Sequence, residues 1–258
     1  MEIIKYYLTN SDCYKAGKKI TKVKGIVKHS TGANNPNLVR YIGTHKLLGT
    51  NQYNNHWNRS GVSKMVHFMI GKDKDGKVRC FQLLPLNYRC WGCASGKQGS
   101  YNNTHIQYEI CEDGLNDKEY YAEAFKVARE LDAYLCKELG LDPSSIVSHQ
   151  EAYKKGYASN HADCDHWLKK FDGSMDKERA AVERMLKENP YPEPTRELSR
   201  GCEGDDVKWV QYAVGAEEDG KFGPDTEKAV IAFQEAHPEL KIKRKGVVGK
   251  KTIKALVA

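Results

Sequence analysis

The sequence predicts an α/β fold, with one central mixed β-sheet flanked by helices, followed by a small all-α domain of three helices. Three observations carry this. Short apolar runs that end in Gly/Asn-rich turns alternate with segments of helical periodicity. A stiff segment, Pro190-Tyr-Pro-Glu-Pro194, interrupts the chain once. Beyond it, a Gly-rich turn leading to a Thr at the start of a short helix occurs twice.

In chain order, Lys24-Gly-Ile-Val-Lys-His29 is an apolar run stopped by Ser-Thr-Gly-Ala-Asn-Asn-Pro, so it reads as a strand with His29 at its end. Residues 37–48 carry a helical pattern, and 51–60 form a polar, aromatic loop. Val66-His-Phe-Met-Ile70 and Val78-Arg-Cys-Phe-Gln-Leu-Leu84 are strands joined through Asp73-Lys-Asp-Gly76. That tetrapeptide lacks the acidic twelfth residue of a calcium loop, so it reads as a hairpin turn. A long Gly/Asn loop from Trp91 to Thr104 feeds an alternating strand, His105-Ile-Gln-Tyr-Glu109-Ile-Cys-Glu, with Glu109 on one face. Apolar positions 121, 125, 128, 131, 135 and 139 predict a helix over 117–139 closed by Gly140. Ile146-Val147 is a short strand ending at His149, and a last helix is expected over 175–189.

The expected division is a first domain at 1–189, a linker at 190–196 and a second domain at 197–258. In the second domain, Gly220-Lys-Phe-Gly-Pro-Asp-Thr226 recurs as Gly246-Val-Val-Gly-Lys-Lys-Thr252. Apolar faces at 207–214 and 229–234 make it a three-helix bundle.

Composition narrows the function. No apolar run approaches the roughly 20 residues of a membrane span, so no membrane insertion is expected. The N-terminus has no secretion-signal pattern, so synthesis in the cytoplasm and action after release by another route are expected. Eight dispersed cysteines without such a signal read as free thiols, the lone Cys90-Trp-Gly-Cys93 included. The net charge of +7 resides in the first 196 residues, with 30 basic against 23 acidic side chains; the rest is balanced at 11 each. This suits an anionic partner, but the charges are scattered without an arginine-rich stripe, which argues against nucleic acid.

Between Ser148 and His166 stand three histidines, two aspartates and a cysteine. With His29 and His149 at strand ends and Asp163 in the loop beyond, two imidazoles and a carboxylate match the ligand set of a catalytic zinc site.

Val27-Lys-His29-Ser-Thr-Gly, His67-Phe-Met-Ile with its hairpin, Trp91 to Asn103-Thr-x-Ile106-x-x-Glu109, Val147-Ser-His149-Gln-Glu and Ser159-Asn-His161-Ala-Asp163 occur in a telling order. Over residues 20–185 the chain resembles the zinc-dependent N-acetylmuramoyl-L-alanine amidases of type 2, which share a fold with peptidoglycan recognition proteins. The flavour is that of phage or prophage endolysins. The tail, from Gly201-Cys-Glu-Gly-Asp-Asp-Val207 to Ala229-Val-x-x-Phe-Gln234, resembles a helical peptidoglycan-binding domain.

The resemblance implies cleavage of the amide between N-acetylmuramic acid and L-alanine of the stem peptide, with bacterial peptidoglycan as partner of both domains and Zn2+ as cofactor. It implies His29, His149 and Asp163 as ligands, Glu109 as general base, and His161 as the residue facing the substrate. Trp91 and Asn103 are the expected substrate contacts. A one-residue shift would put Cys164 in place of Asp163, and His166 is a further substitute. Two features depart from relatives: Val66 stands where some carry a tyrosine, and Trp91-Gly-Cys-Ala replaces Trp-His-x-Gly. His67 reads as a core or supporting histidine, and His45, His56, His105 and His237 as packing or surface residues.

Overall fold

Alternation in the strand around His29 sets the architecture. In the computed structural model, which describes residues 1–257, this strand is β2 (Gly25–Ser30), and every residue in it is buried. The sheet adds β1 (Ile3–Lys5), β3 (Phe68–Lys72), β4 (Val78–Gln82), β5 (His105–Ile110) and β6 (Ile146–Ser148), in the order β1-β4-β3-β5-β2-β6. Only β3 and β4 pair antiparallel; the other neighbours run parallel, so the sheet is mixed.

The helices of this unit are α1 (Asp12–Ala16), α2 (Val39–Ile42), α3 (Lys118–Leu139), α4 (His149–Lys154), α5 (Asp165–Lys170) and α6 (Met175–Lys187). Two compact units result, Met1–Leu186 and the chain from Lys187 onward.

Local chemistry explains most boundaries. Asp73 Oδ1 accepts from the backbone N–H groups of Asp75 and Lys77, at 2.9 Å each, and Gly76 takes a φ of +79°, which closes the β3–β4 hairpin. Asp117 caps α3, accepting from the N–H groups of Glu119 and Tyr120, and Gly140 ends it in the left-handed region. Helix α3 buries Tyr120, Ala124, Phe125, Ala128, Leu131 and Leu135 against Ile26, Phe68, Ile70 and Tyr108 of the sheet.

Some expectations change. The helix expected over 37–48 is a single turn, α2, because Gly43 (φ +100°) leads the chain out of it. The strand at Ile146 does not end at His149: Ser148 and Glu151 form a reciprocal capping box, so His149 opens α4. The strand expected from Val66 is regular from Phe68, although His67 already bonds Gln107 O and Leu83 N–H through its backbone.

Beneath the sheet, Lys28 is fully enclosed, with its Nζ 3.1 Å from Asp132 and 2.9 Å from Glu178. Tyr108 Oη donates to Asp132, and Arg129 pairs with Glu178, each at 2.9 Å. Burial disfavours the ammonium, but the two carboxylates outweigh it and hold Lys28 protonated. This network ties α3 and α6 to β2.

The second unit contains α7 (Asp205–Val214), α8 (Pro224–Ala236) and α9 (Lys250–Val257) around Leu198, Val207, Val210, Phe222, Val230 and Val248. Its sequence repeat has a hydrogen-bonding cause. Gln211 Oε1 accepts from Gly220 N–H at 2.9 Å while its Nε2 donates to Thr226 Oγ1 at 2.9 Å. Gln234 does the same with Gly246 at 2.9 Å and Thr252 at 3.1 Å. A buried amide on one helix thus clamps the following turn to the start of the next helix.

Replacing Lys28 by Ala leaves two carboxylates buried without their cation. The expected cost is about 3–5 kcal/mol, read as a lowered urea midpoint of the first unit with no new stable state.

Candidate metal centre and active-site cleft

The parallel register brings the candidate residues together. Lys28 lies opposite Ser148 on β6 and His29 opposite Glu109 on β5. His29 and His149 therefore emerge side by side at the carboxyl edge of the sheet, with Glu109 on the flank. Asp163 arrives from the loop before α5, whose Trp167 and Leu168 are buried in the core.

His29 Nδ1 lies 3.0 Å from His149 Nδ1 and 3.1 Å from Asp163 Oδ2, and the His149–Asp163 separation is 3.4 Å. Bonds of about 2.0–2.1 Å to tetrahedral zinc would place ligand atoms roughly 3.3 Å apart, so the triangle has the dimensions of one face of such a site. Its chemistry agrees. His29 Nε2 faces Gln107 Oε1 at 2.9 Å, while Gln107 Nε2 donates to Asn102 Oδ1 at 2.9 Å. With Nε2 engaged by Gln107, His29 turns Nδ1 toward another imidazole nitrogen and a carboxylate. A positive charge, proton or metal, is required between them.

Burial opposes ionisation of Asp163, but the hydrogen bonds and charge of His149 and His29 prevail and hold its carboxyl well below the usual range. Glu109 behaves in the opposite way: burial first, then the charges of Asp163 and Glu112, push it well above the ordinary value, against a smaller pull from Lys64. Its enclosed Oε2 has no hydrogen-bond partner. A carboxyl held in this state is suited to proton transfer.

His29, Glu109, His149, His161 and Asp163 all border one cleft of about 610 Å³, and Trp91 forms part of its wall. The exposed His161 lies against His149 with ring centroids 4.6 Å apart, its Nδ1 3.0 Å from Ser159 Oγ. Asn103 is not in this group: it is exposed, accepts from Arg89 Nε at 2.6 Å, and borders a neighbouring hollow. Its neighbour Asn102 is the one turned inward, where Oδ1 accepts from the N–H groups of Gly92 and Cys93 as well as from Gln107.

Cys164 points into the apolar core, where burial pushes its thiol up, and His166 pairs with Glu112 at 3.0 Å. Neither joins the triangle. His67 is enclosed, accepts from Gln107 N–H at 3.1 Å and meets Tyr88 O at 2.8 Å, a supporting role. The cysteines are free thiols.

Sequence reading missed Gln107 and Asn102. Gln107 carried a signal: it lies two residues before Glu109 on an alternating strand, hence on the same face. Asn102 carried none, since only the folded loop distinguishes it from Asn103. Arg89 and Lys64 also border the cleft and were not anticipated.

A mixed α/β sheet with imidazoles and carboxyls gathered in one cleft is suited to the chemistry of a hydrolytic enzyme. The chain belongs to the N-acetylmuramoyl-L-alanine amidase family, whose profile matches residues 19–166; a peptidoglycan binding domain profile matches residues 203–256. It is similar to a probable N-acetylmuramoyl-L-alanine amidase of Bacillus licheniformis, 24% identical over 276 residues covering 100% of this chain and 73% of the relative. The amidase CwlL of the same species is 24% identical over 277 residues, covering 100% and 72%. In fold it is similar to the Staphylococcus aureus hydrolase AmiA, determined in complex with its ligand, with a TM-score of 0.52, 20% identity, and coverage of 72% of this chain and 83% of that one. The PlyG catalytic domain aligns with a TM-score of 0.50 and 23% identity, covering 75% of this chain and 100% of that domain.

The raised Glu109 carboxyl makes a signed prediction for metal-free protein. Its folded pKa lies above the unfolded value, so its stabilisation is complete below the unfolded pKa and is lost as pH rises through the folded one. Glu109→Gln removes the cost of burying the charge. Its unfolding midpoint should exceed the unmodified protein's at pH 7, and the difference should vanish near pH 4.

Proposed function

We propose that the chain is a zinc-dependent N-acetylmuramoyl-L-alanine amidase of the endolysin type. In this reading it cleaves the amide between N-acetylmuramic acid and the L-alanine of the peptidoglycan stem peptide. The observation that carries the zinc assignment is the His29–His149–Asp163 triangle, whose three electron-rich atoms lie within 3.4 Å of one another inside the segment the family profile covers. When bound, zinc would polarise the scissile carbonyl and acidify the attacking water.

The protein's own groups do the rest. Gln107 holds His29 in the tautomer that presents Nδ1. Glu109, in the ionised form that a cation held beside it would favour, takes the proton of the attacking water. His161, set by Ser159 through Nδ1, directs Nε2 to the developing oxyanion and passes a proton to the leaving amine. Trp91 borders the groove for the sugar-peptide junction.

Residues 1–189 act as the catalytic domain, and residues 197–258, across the 190–196 linker, hold it on the insoluble wall and raise its local concentration. Synthesis in the cytoplasm and action on the wall at host lysis complete the reading.

Digestion of purified peptidoglycan tests it. New N-terminal L-alanine without new reducing ends is expected; new termini at another stem residue would mark a peptidase, and wall binding without release a recognition protein. Chelation should abolish release and zinc restore it. Asp163→Ala should lose the stoichiometric metal, and His161→Ala should retain the metal while kcat falls by about 10²–10³. A full equivalent of zinc on Asp163→Ala would sink the ligand set.

A further inference from the structure

The balanced charge of the second domain is the sum of two opposite halves. Residues 197–239 carry 11 acidic and 4 basic side chains, whereas residues 240–258 carry 7 basic and none acidic. All seven cations, from Lys241 to Lys254, are exposed. Arg244 pairs with Glu197 at 2.9 Å and Lys245 with Glu235 at 2.5 Å. Among the described residues, no carboxylate pairs with Lys243, Lys250, Lys251 or Lys254.

These four lysines border one groove. A hollow of about 230 Å³ is lined by Lys243, Lys250 and Lys251, and another, of about 910 Å³, by Lys250 and Lys254. Glu197, Gly249 and Lys250 border both, so the two are continuous. The acidic lining is Glu193 and Glu197, and Arg244 already engages Glu197.

The internal repeat shows that the fold does not require these lysines. Both copies keep the glycine and the threonine that a buried glutamine clamps. In the first copy, α8 opens with Pro224 and Asp225 and has Glu227 in its first turn, which suits the positive end of a helix. In the second, Lys250 and Lys251 stand where Pro224 and Asp225 stood, and the first turn of α9 has no acid. Cations at that end oppose folding slightly, so their use lies outside the fold.

The form of the patch identifies the anion. Lys250 and Lys254 are one helical turn apart, about 6 Å along the axis, and the row continues through Lys251 to Lys243, so a chain of charges fits better than a single group. Planar carboxylates are read by arginine forks, and the nearby Arg244 is committed to Glu197; free ammonium groups suit phosphate as point charges. Residues 240–257 contain no aromatic side chain on which a nucleic-acid base could stack. Ile253 and Leu256 of α9 pack into the core of the unit, which leaves the helix no apolar face to insert into a lipid surface.

We propose that this groove binds a linear polyol-phosphate polymer of the bacterial wall, with Lys243, Lys250, Lys251 and Lys254 as its phosphate contacts. The proposal rests on the wall-targeting reading above. It gives the second unit a salt-sensitive hold on the wall beside its hold on peptidoglycan.

The test uses the full chain and soluble poly(glycerol phosphate), with binding measured by calorimetry. The unmodified protein should bind, and added salt should weaken binding. Lys250→Glu/Lys251→Glu should weaken it about tenfold, the order expected for reversing two exposed charges. Lys243→Gln/Lys254→Gln, which leaves the first turn of α9 intact, should weaken it about threefold. Lys221→Glu/Lys228→Glu changes the net charge as much as the first variant but lies outside the groove, and should leave binding unchanged. Walls stripped of phosphodiester polymer by cold hydrofluoric acid should retain the unmodified protein and both groove variants equally. No binding of the polymer, equal weakening by the groove and control charge reversals, or a groove-dependent preference for duplex DNA or phosphatidylglycerol vesicles would overturn the proposal. Each would leave the amidase reading standing, since release of L-alanine termini from the stripped walls tests that reading separately.

Discussion

The alternation of a single buried strand is the constraint on which the rest of the first unit depends. Successive residues of β2 face opposite sides of the sheet, so Lys28 is driven into the layer beneath while His29 emerges into the cleft. A lysine can occupy such a place only if paired, and Asp132 of α3 and Glu178 of α6 supply the partners. The ion network and the candidate ligand are thus adjacent in sequence and mechanically coupled. A one-residue slip of β2 would put the lysine in the cleft and the histidine among apolar side chains.

Above the sheet, a chain of polar groups leads to the candidate site. The N–H groups of Gly92 and Cys93 converge on Asn102, Asn102 receives from Gln107, and Gln107 fixes His29. Each member has its partners until the chain reaches three electron-rich atoms that face one another. Beside them, Glu109 keeps an enclosed oxygen without a donor. Arrangements of this kind oppose folding and persist where catalysis requires them. The second unit shows the contrary case, in which Gln211 and Gln234 satisfy both ends of their amides and serve the fold.

The departures from sequence expectation have physical causes. The 37–48 segment has helical periodicity, yet Gly43 at positive φ ends the helix after one turn. Ser148 and Glu151 form a capping box that periodicity does not register, so His149 moves from strand end to helix start without leaving the sheet edge. Asn103 stands beside the residue that matters, because the 3-10 turn at Tyr101–Asn103 directs Asn102 inward and its neighbour to solvent.

By itself, the sequence determined the class of fold, the hairpin at Asp73–Gly76, the long helix ending at Gly140, the paired Gly-to-Thr motifs of the second unit, and the residues His29, Glu109, His149, His161 and Asp163 as candidates. These are legible because caps, turns and periodicity are local, because His29 and His149 stand at strand ends, and because the motifs around Glu109 and His161 resemble those of a known family. The tertiary structure alone decided that Asp163, with Cys164 buried behind it, completes the triangle, and that Gln107 and Asn102 support it. Those outcomes depend on strand register and loop packing, which join residues far apart in the chain and leave no local trace in it.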